Sequence, residues 1–266
     1  MTTEVFDIVY RALEEDIGSG DVTSAACIDA QRQAQGRFVA RQQLVLAGAD
    51  LLAILFDDPV LLHKDGDLLQ PGDAIAEVRG PARTLLSRER VTLNFLQHLS
   101  GIATLARRFV DAVAGTKCRI LDTRKTTPGL RVLEKMAVAA GGAVNHRMGL
   151  FDAILIKNNH IAIAGGVSEA VRRAKSAGLP MEVEVRTRAE IDEALAGGAT
   201  HLLLDNMSPD EAAKEIRHIA GRATVELSGG ITVETARAYA EAGADYLSSG
   251  AITHSAPAVD IHLRIQ

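Results

Sequence analysis

Two cationic doublets carry the first chemical signal in this sequence, Arg124-Lys125 and His146-Arg147, with Lys157 following shortly after. Between Lys117 and Lys157 stand eight Lys or Arg residues and three acids (Asp122, Glu134, Asp152), a local +5 in a chain of formal net charge −5. A surplus of one sign inside a chain of the other concentrates ligands of opposite charge. Arg presents a planar fork that takes carboxylate or phosphate oxygens in pairs, and Lys a compact point charge. The partner expected is a small polyanion. An isolated Arg-Lys pair reads as a solvated basic turn, but here a Thr-Thr-Pro-Gly turn (126–129) and a second doublet favour the ligand. A lone His146 serves structure as readily as chemistry. Lys157 closes an apolar run, so burial against an anion is expected, with Glu184 or Asp205 as internal candidates.

Acids and glycines complete the set. Glu184 and Asp205 close neighbouring apolar runs, with Glu182 nearby. They suit Mg²⁺ held directly or through water, ribose hydroxyls, or a counter-charge for Lys157. Ser228-Gly229-Gly230 and Ser249-Gly250-Ala251 let backbone N–H groups approach a phosphate. No GxxxxGK[ST] loop, zinc-type ligand spacing or activated Ser or Cys nucleophile is present, so direct transfer through a stabilised cation is expected. The 3% aromatic content, absence of Trp and negative net charge exclude a nucleic-acid platform. No apolar run has the length of a bilayer span. The N-terminus is acidic and amphipathic, unlike a signal peptide, and Cys27 and Cys118 read as reduced thiols; a cytoplasmic protein is expected.

The elements that must position these residues fall into two patterns. Residues 4–15 have helical spacing, 36–80 hold short apolar runs split by Asp65-Gly66 and Pro71-Gly72 turns, and 87–113 read as a long helix with a possible break at Ser100-Gly101. From Arg119 strands alternate with helices: strands at 119–122, 153–157, 181–185, 201–205, 224–228 and 245–249, helices at 167–177, 188–196, 209–219 and 233–242. Thr187 with Glu190 and Ser208 with Glu211 are capping-box starts. The fold class expected is α/β: an incomplete parallel α/β barrel preceded by a β-rich α+β sandwich domain. The domains are 1–102 and 103–254, with the tail 255–266 packing on the first. A polar residue ends nearly every barrel strand (Asp122, Lys157, Glu184, Asp205, Ser228, Ser249), the end where such barrels place their chemistry.

ALEEDIGSGDVT (12–23), RERVTLNFLQHLSGIAT (88–104), ILDTRKTTPGLRVLEK (120–135), GGAVNHRMGLFDAILIKNNHI (141–161), EVEV (182–185), LLLDN (202–206), ELSGGI (226–231) and SSGAITHS (248–255) together resemble the quinolinate phosphoribosyltransferase family, in that family's order. The resemblance implies conversion of quinolinate and 5-phosphoribosyl diphosphate, with Mg²⁺, to nicotinate mononucleotide, pyrophosphate and CO₂, a step of NAD synthesis. It implies that Thr123, Arg124, Lys125, His146, Arg147 and Lys157 bind anions, and that Glu184 and Asp205 face ribose and metal. Lys125, Lys157, Glu184 and Asp205 are the catalytic candidates. Ser228, Gly229, Gly230, Ser249, Gly250 and Ala251 seat phosphate with His254 nearby. Arg90 enters the neighbouring subunit's site, so a homodimer with shared sites, or a higher oligomer of it, is implied. Asn158 and Arg186 depart from residues common in the family, and neither is expected at a ligand contact. Asn145 argues against a related branch linked to molybdenum transport. The rival readings are a transferase of that branch or for another pyridine acid, and a non-catalytic phosphosugar binder.

Overall fold

The segment Gln33–Ala40, exposed at its start and buried from Phe38 to Ala40, forms the first long strand, β1. The computed structural model describes residues 2–265, and its contacts divide into two units. In the first, β1 is followed by β2 (Leu44–Val45), β3 (Val60–Leu61), β4 (Leu68–Leu69) and β5 (Ala74–Pro81). β1 lies between β5 and the C-terminal strand Ile261–Ile265, with β3 beyond β5, in a four-stranded antiparallel sheet; β2 pairs with β4. Helix Thr3–Ile17 buries Val5, Val9 and Leu13, one stripe at four-residue steps.

Helix Ala82–Ala112 runs without interruption through Ser100-Gly101, where a break was expected. Both residues serve packing. The Ser100 hydroxyl accepts from the Ala47 N–H at 3.0 Å, and a Cβ on Gly101 would stand 2.3 Å from the Pro257 carbonyl oxygen. The first unit also takes in Thr126–Gly142 and the segment from Ile252, so the chain crosses between units more often than a single boundary near 102 and a returning tail require. Helix Arg131–Ala140 explains the first crossing: it buries Leu133, Glu134, Lys135, Ala137 and Val138. Glu134 there accepts from His98 at 2.9 Å and from the Thr127 N–H at 3.2 Å.

The second unit is a parallel sheet of β6 (Arg119–Leu121), β7 (Ile154–Ile156), β8 (Met181–Val185), β9 (His201–Asp205), β10 (Thr224–Ser228) and β11 (Tyr246–Ser248), in the order β6-β11-β10-β9-β8-β7. Helices Val167–Ala174, Arg188–Ala196, Pro209–Ile219 and Val233–Glu241 connect the strands, and both expected capping boxes form. Six strands make the barrel incomplete. In-register partners share a face, so one face carries Val183, Leu202, Leu204, Val225, Leu227 and Leu247, buried and apolar. The other carries Glu182, Glu184, Asp205, Glu226, Ser228 and Ser248. β9 separates β8 from β10, yet ligand atoms of Glu182 and Glu226 lie within 4.8 Å of each other. Strands two apart stand roughly 10 Å from one another in a flat sheet, so the polar face is concave.

Candidate functional site

The polar face has a rim at the C-terminal strand ends and a floor deeper inside. At the rim Glu184 is buried, and its Oε2 stands 3.8 Å from Lys157 Nζ. Lys157 follows β7 and is exposed, not buried as its apolar run suggested. The run ends one residue too soon to enclose it, and its N–H donates to His160 Nδ1 at 2.9 Å. Asp205 ends β9. Arg186, the residue set aside as distant from ligand contacts, donates to Asp205 Oδ2 through Nε at 3.0 Å and Nη2 at 2.7 Å, and Nη2 reaches Glu184 Oε1 at 3.4 Å. Hydrogen bonding to Asp205 raises the guanidinium above its ordinary pKa. Arg186 thus touches both acids, a pairing its sequence position did not announce. Beside them a cavity of about 550 Å³ is lined by Arg186, Arg188, Asp205, Asn206, Glu211 and Glu215.

Arg147 is half-buried and donates from Nη1 to the Ala153 carbonyl at 2.9 Å. Burial depresses its pKa first, and the neighbouring Arg124 guanidinium adds to the effect. Two arginines close enough to repel each other concentrate positive potential between them. The loop carrying Arg147 is fixed by acids: fully buried Asp122 accepts the His146 N–H at 2.7 Å, and Asp152 accepts those of Met148 and Gly149 at 2.6 and 3.1 Å. Thr123 Oγ1 accepts the Lys125 N–H at 3.0 Å, which turns the chain after β6.

At the corner where phosphate is expected, Gly229 has φ +108°, and a Cβ there would lie 2.2 Å from Asn206 Oδ1; Gly230 has φ +61° with open space where its Cβ would be. Only glycine fits the first, and the second presents bare backbone. Ser228 ends β10 and its carbonyl accepts the Asn206 N–H. Ser249 is buried with its hydroxyl donated to the Ile231 carbonyl at 2.9 Å, so its side chain ties two loops together. Gly250 and Ala251 are half-buried and lead into the short helix Ala251–His254; exposed His254 pairs its Nδ1 with the Ser255 hydroxyl at 2.6 Å. Arg90 is exposed on the long helix of the first unit.

On the floor, His146 Nε2 lies 3.1 Å from Glu182 Oε2 and 3.6 Å from Glu226 Oε2. Burial pushes the Glu226 carboxyl up to about 8, with the Glu182 charge adding to the rise. A cavity of about 270 Å³ lined by all three opens toward the strand starts at Ile154, Met181, His201, Thr224 and Tyr246. The trio has the ligand types of a metal site, but His146 Nδ1 accepts the Arg147 N–H at 2.7 Å. A neutral imidazole that accepts at Nδ1 carries its proton on Nε2, which then has no lone pair for a metal. Burial thus favours a proton on Glu226 within this cluster. His146 faces the interior acids and, through that backbone bond, fixes Arg147. Reading strand ends alone missed Glu226 and gave Glu182 no role; the alternation in MEVEV (181–185) and TVELS (224–228) was the available signal.

The family descriptions "Quinolinate phosphoribosyl transferase, N-terminal domain" and "Quinolinate phosphoribosyl transferase, C-terminal domain" match residues 21–100 and 102–264. The chain is similar to the probable nicotinate-nucleotide pyrophosphorylase [carboxylating] of Bacillus subtilis, 44% identical over 260 residues covering 94% of this chain and 90% of the relative. It is equally similar to the nicotinate-nucleotide pyrophosphorylase [carboxylating] of Mycobacterium leprae, 44% identical with coverage of 97% and 95%. The crystal structure of the nicotinate-nucleotide pyrophosphorylase from Ehrlichia chaffeensis superposes with TM-score 0.95 at 36% identity, covering 100% of this chain and 99% of that one.

Proposed function

The chain belongs to the quinolinate phosphoribosyl transferase family, and on that premise we propose that it transfers the phosphoribosyl group of 5-phosphoribosyl diphosphate to quinolinate with decarboxylation. The products are nicotinate mononucleotide, pyrophosphate and CO₂. One structural observation supports the reading above all: Arg124 and Arg147 converge in the same unit that carries Lys157, Glu184 and Asp205 on strand ends. Paired cations on one side and ribose-type acids on the other suit a dicarboxylate and a phosphosugar held together.

In this reading Arg124, Lys125 and Arg147 hold the two carboxylates of quinolinate, and Lys157 stands between them and Glu184. Glu184 and Asp205 accept hydrogen bonds from ribose hydroxyls and stabilise positive charge developing on the sugar ring. Gly229 and Gly230 give the 5-phosphate close access to backbone N–H groups, followed by Gly250 and Ala251. As the ring nitrogen bonds to the anomeric carbon, the bond to pyrophosphate breaks; the positive nitrogen then stabilises the electron pair left on the adjacent ring carbon when its carboxylate departs as CO₂, and a proton from water takes that place. Glu184 and Asp205 are hard-oxygen donors of the kind Mg²⁺ takes through water, and Asp205 lines an open cavity. Bound there with the diphosphate, Mg²⁺ would supply neutralisation of its charge.

We place the protein in the cytoplasm as a homodimer in which Arg90 serves the partner's site; no helix among the described residues is long and apolar enough to cross a membrane. Incubation with quinolinate, phosphoribosyl diphosphate and Mg²⁺ should yield equal CO₂ and pyrophosphate. Pyrophosphate from nicotinate without CO₂ would assign another pyridine acid, and binding without turnover a non-catalytic role. Mixed Arg90→Ala and Lys125→Ala subunits, each nearly inactive alone, should regain about a quarter of wild-type activity if dimers exchange at random.

A further inference from the structure

We propose that Arg186 is a built-in counter-cation for the Glu184–Asp205 pair, one that keeps these acids from taking up a divalent cation before substrate arrives. The proposal rests on the reading above that this pair faces ribose and diphosphate. Arg186 sits one residue beyond β8, and its guanidinium spans both acids: Nε and Nη2 converge on Asp205 Oδ2, and Nη2 also reaches Glu184 Oε1. The other oxygen of Glu184 faces Lys157 Nζ. Two acids are thus balanced by two cations within the rim.

The placement is built into the backbone. The Arg186 N–H donates to Glu190 Oε2 at 2.6 Å, and the capping box of Thr187 and Glu190 starts helix Arg188–Ala196 directly after it. The other arginine of the cavity is engaged elsewhere, since Arg188 binds Glu215 through Nε at 3.0 Å and Nη2 at 2.9 Å. Arg186 is therefore the cation committed to the acid pair. With an acid at this position the rim would hold three carboxylates against Lys157, an arrangement that attracts a dication strongly. With arginine, a dication approaching Asp205 meets a guanidinium already on its oxygen and a local charge near zero. The metal then has its strongest oxygen donors on the diphosphate it accompanies. Meanwhile Asp205 and Glu184 stay oriented for ribose hydroxyls.

The test uses the substrate-free full chain and Mn²⁺ as a paramagnetic probe, with free Mn²⁺ read by electron paramagnetic resonance. Arg186→Gln should bind one Mn²⁺ per chain about tenfold more tightly than wild type, the scale expected for removing one partly screened charge a few ångströms from a dication. Arg186→Met should do the same, and Arg186→Lys, which keeps the charge, should bind weakly. Adding Asp205→Asn to Arg186→Gln should remove the gain. Equal Mn²⁺ affinity in wild type, Arg186→Gln and Arg186→Met would overturn the proposal, as would a gain that survives Asp205→Asn. Quinolinate-dependent CO₂ release measured on the same samples tests the substrate reading separately, because its absence leaves the Mn²⁺ comparison intact.

Discussion

The rim and the floor of the concave face each bring two carboxylates together, and they neutralise them by different means. At the rim, Glu184 and Asp205 are met by Arg186 and Lys157, whose side chains remain about half exposed, 47% and 50%. On the floor, Glu182 and Glu226 meet each other and His146, Ser248 also bonds to Glu226, and Glu226 is 4% exposed. A long cationic side chain reaches an acid pair from solvent when the pair lies at a strand end. Two residues further in, the partner is an imidazole, and binding a proton avoids a second buried charge. Depth along the strand thus separates acids available to a ligand from acids committed to holding a loop.

The largest effect should appear on the floor. The folded pKa of Glu226, about 8, lies above its ordinary 4.5. Its contribution to stability is therefore fully present below pH 4.5 and is lost as pH rises toward and through 8. The whole span amounts to about 5 kcal/mol. Glu226→Gln keeps the shape of the protonated acid without the titration, so its melting temperature should exceed that of wild type by a margin that widens from pH 5 to pH 8.5. A constant margin would mean that Glu226 is ionised throughout.

Next comes Arg147, which His146 on the floor holds by its backbone and to which the proposed function gives a substrate carboxylate. Arg147→Ala should lower kcat/KM for quinolinate by at least two orders of magnitude, about 3 kcal/mol and the lower part of the range for removing one partner of a desolvated charge pair. Steady-state kinetics near wild type would separate Arg147 from substrate. At the rim, Asp205→Asn should reduce kcat/KM for phosphoribosyl diphosphate by roughly a hundredfold while altering unfolding free energy by under about 1 kcal/mol, because partly exposed ion pairs add little to stability. A large loss in chemical denaturation would show the rim to be structural. The smallest contrast is with salt. Raising NaCl from about 0.05 to 0.5 M should weaken phosphoribosyl diphosphate binding several-fold, yet leave the pH midpoint of the Glu226-dependent stability change within a few tenths of a unit, since buried groups are screened much less.

Much of the architecture was legible because it follows local chemistry. Helices Arg188–Ala196 and Pro209–Ile219 begin where their capping boxes require, and β8, β9 and β10 match the apolar runs at 181–185, 201–205 and 224–228. The cationic doublets were legible for the same reason, charge density being a property of the chain itself. Lys157 shows the limit: its neighbours predict burial, and the strand stops just before it.

What the sequence determined by itself is the periodicity of the elements, the excess of cations between Lys117 and Lys157, and, by resemblance, the family. Tertiary structure alone decided which charges meet. Curvature of the sheet brings Glu182 and Glu226 together across β9, and the turn after β8 lays Arg186 on Asp205, nineteen residues away in the chain. These pairings depend on distances of a few ångströms and on exclusion of water. Both are set by how strands pack side by side, and neither is encoded in the spacing of residues along a single strand.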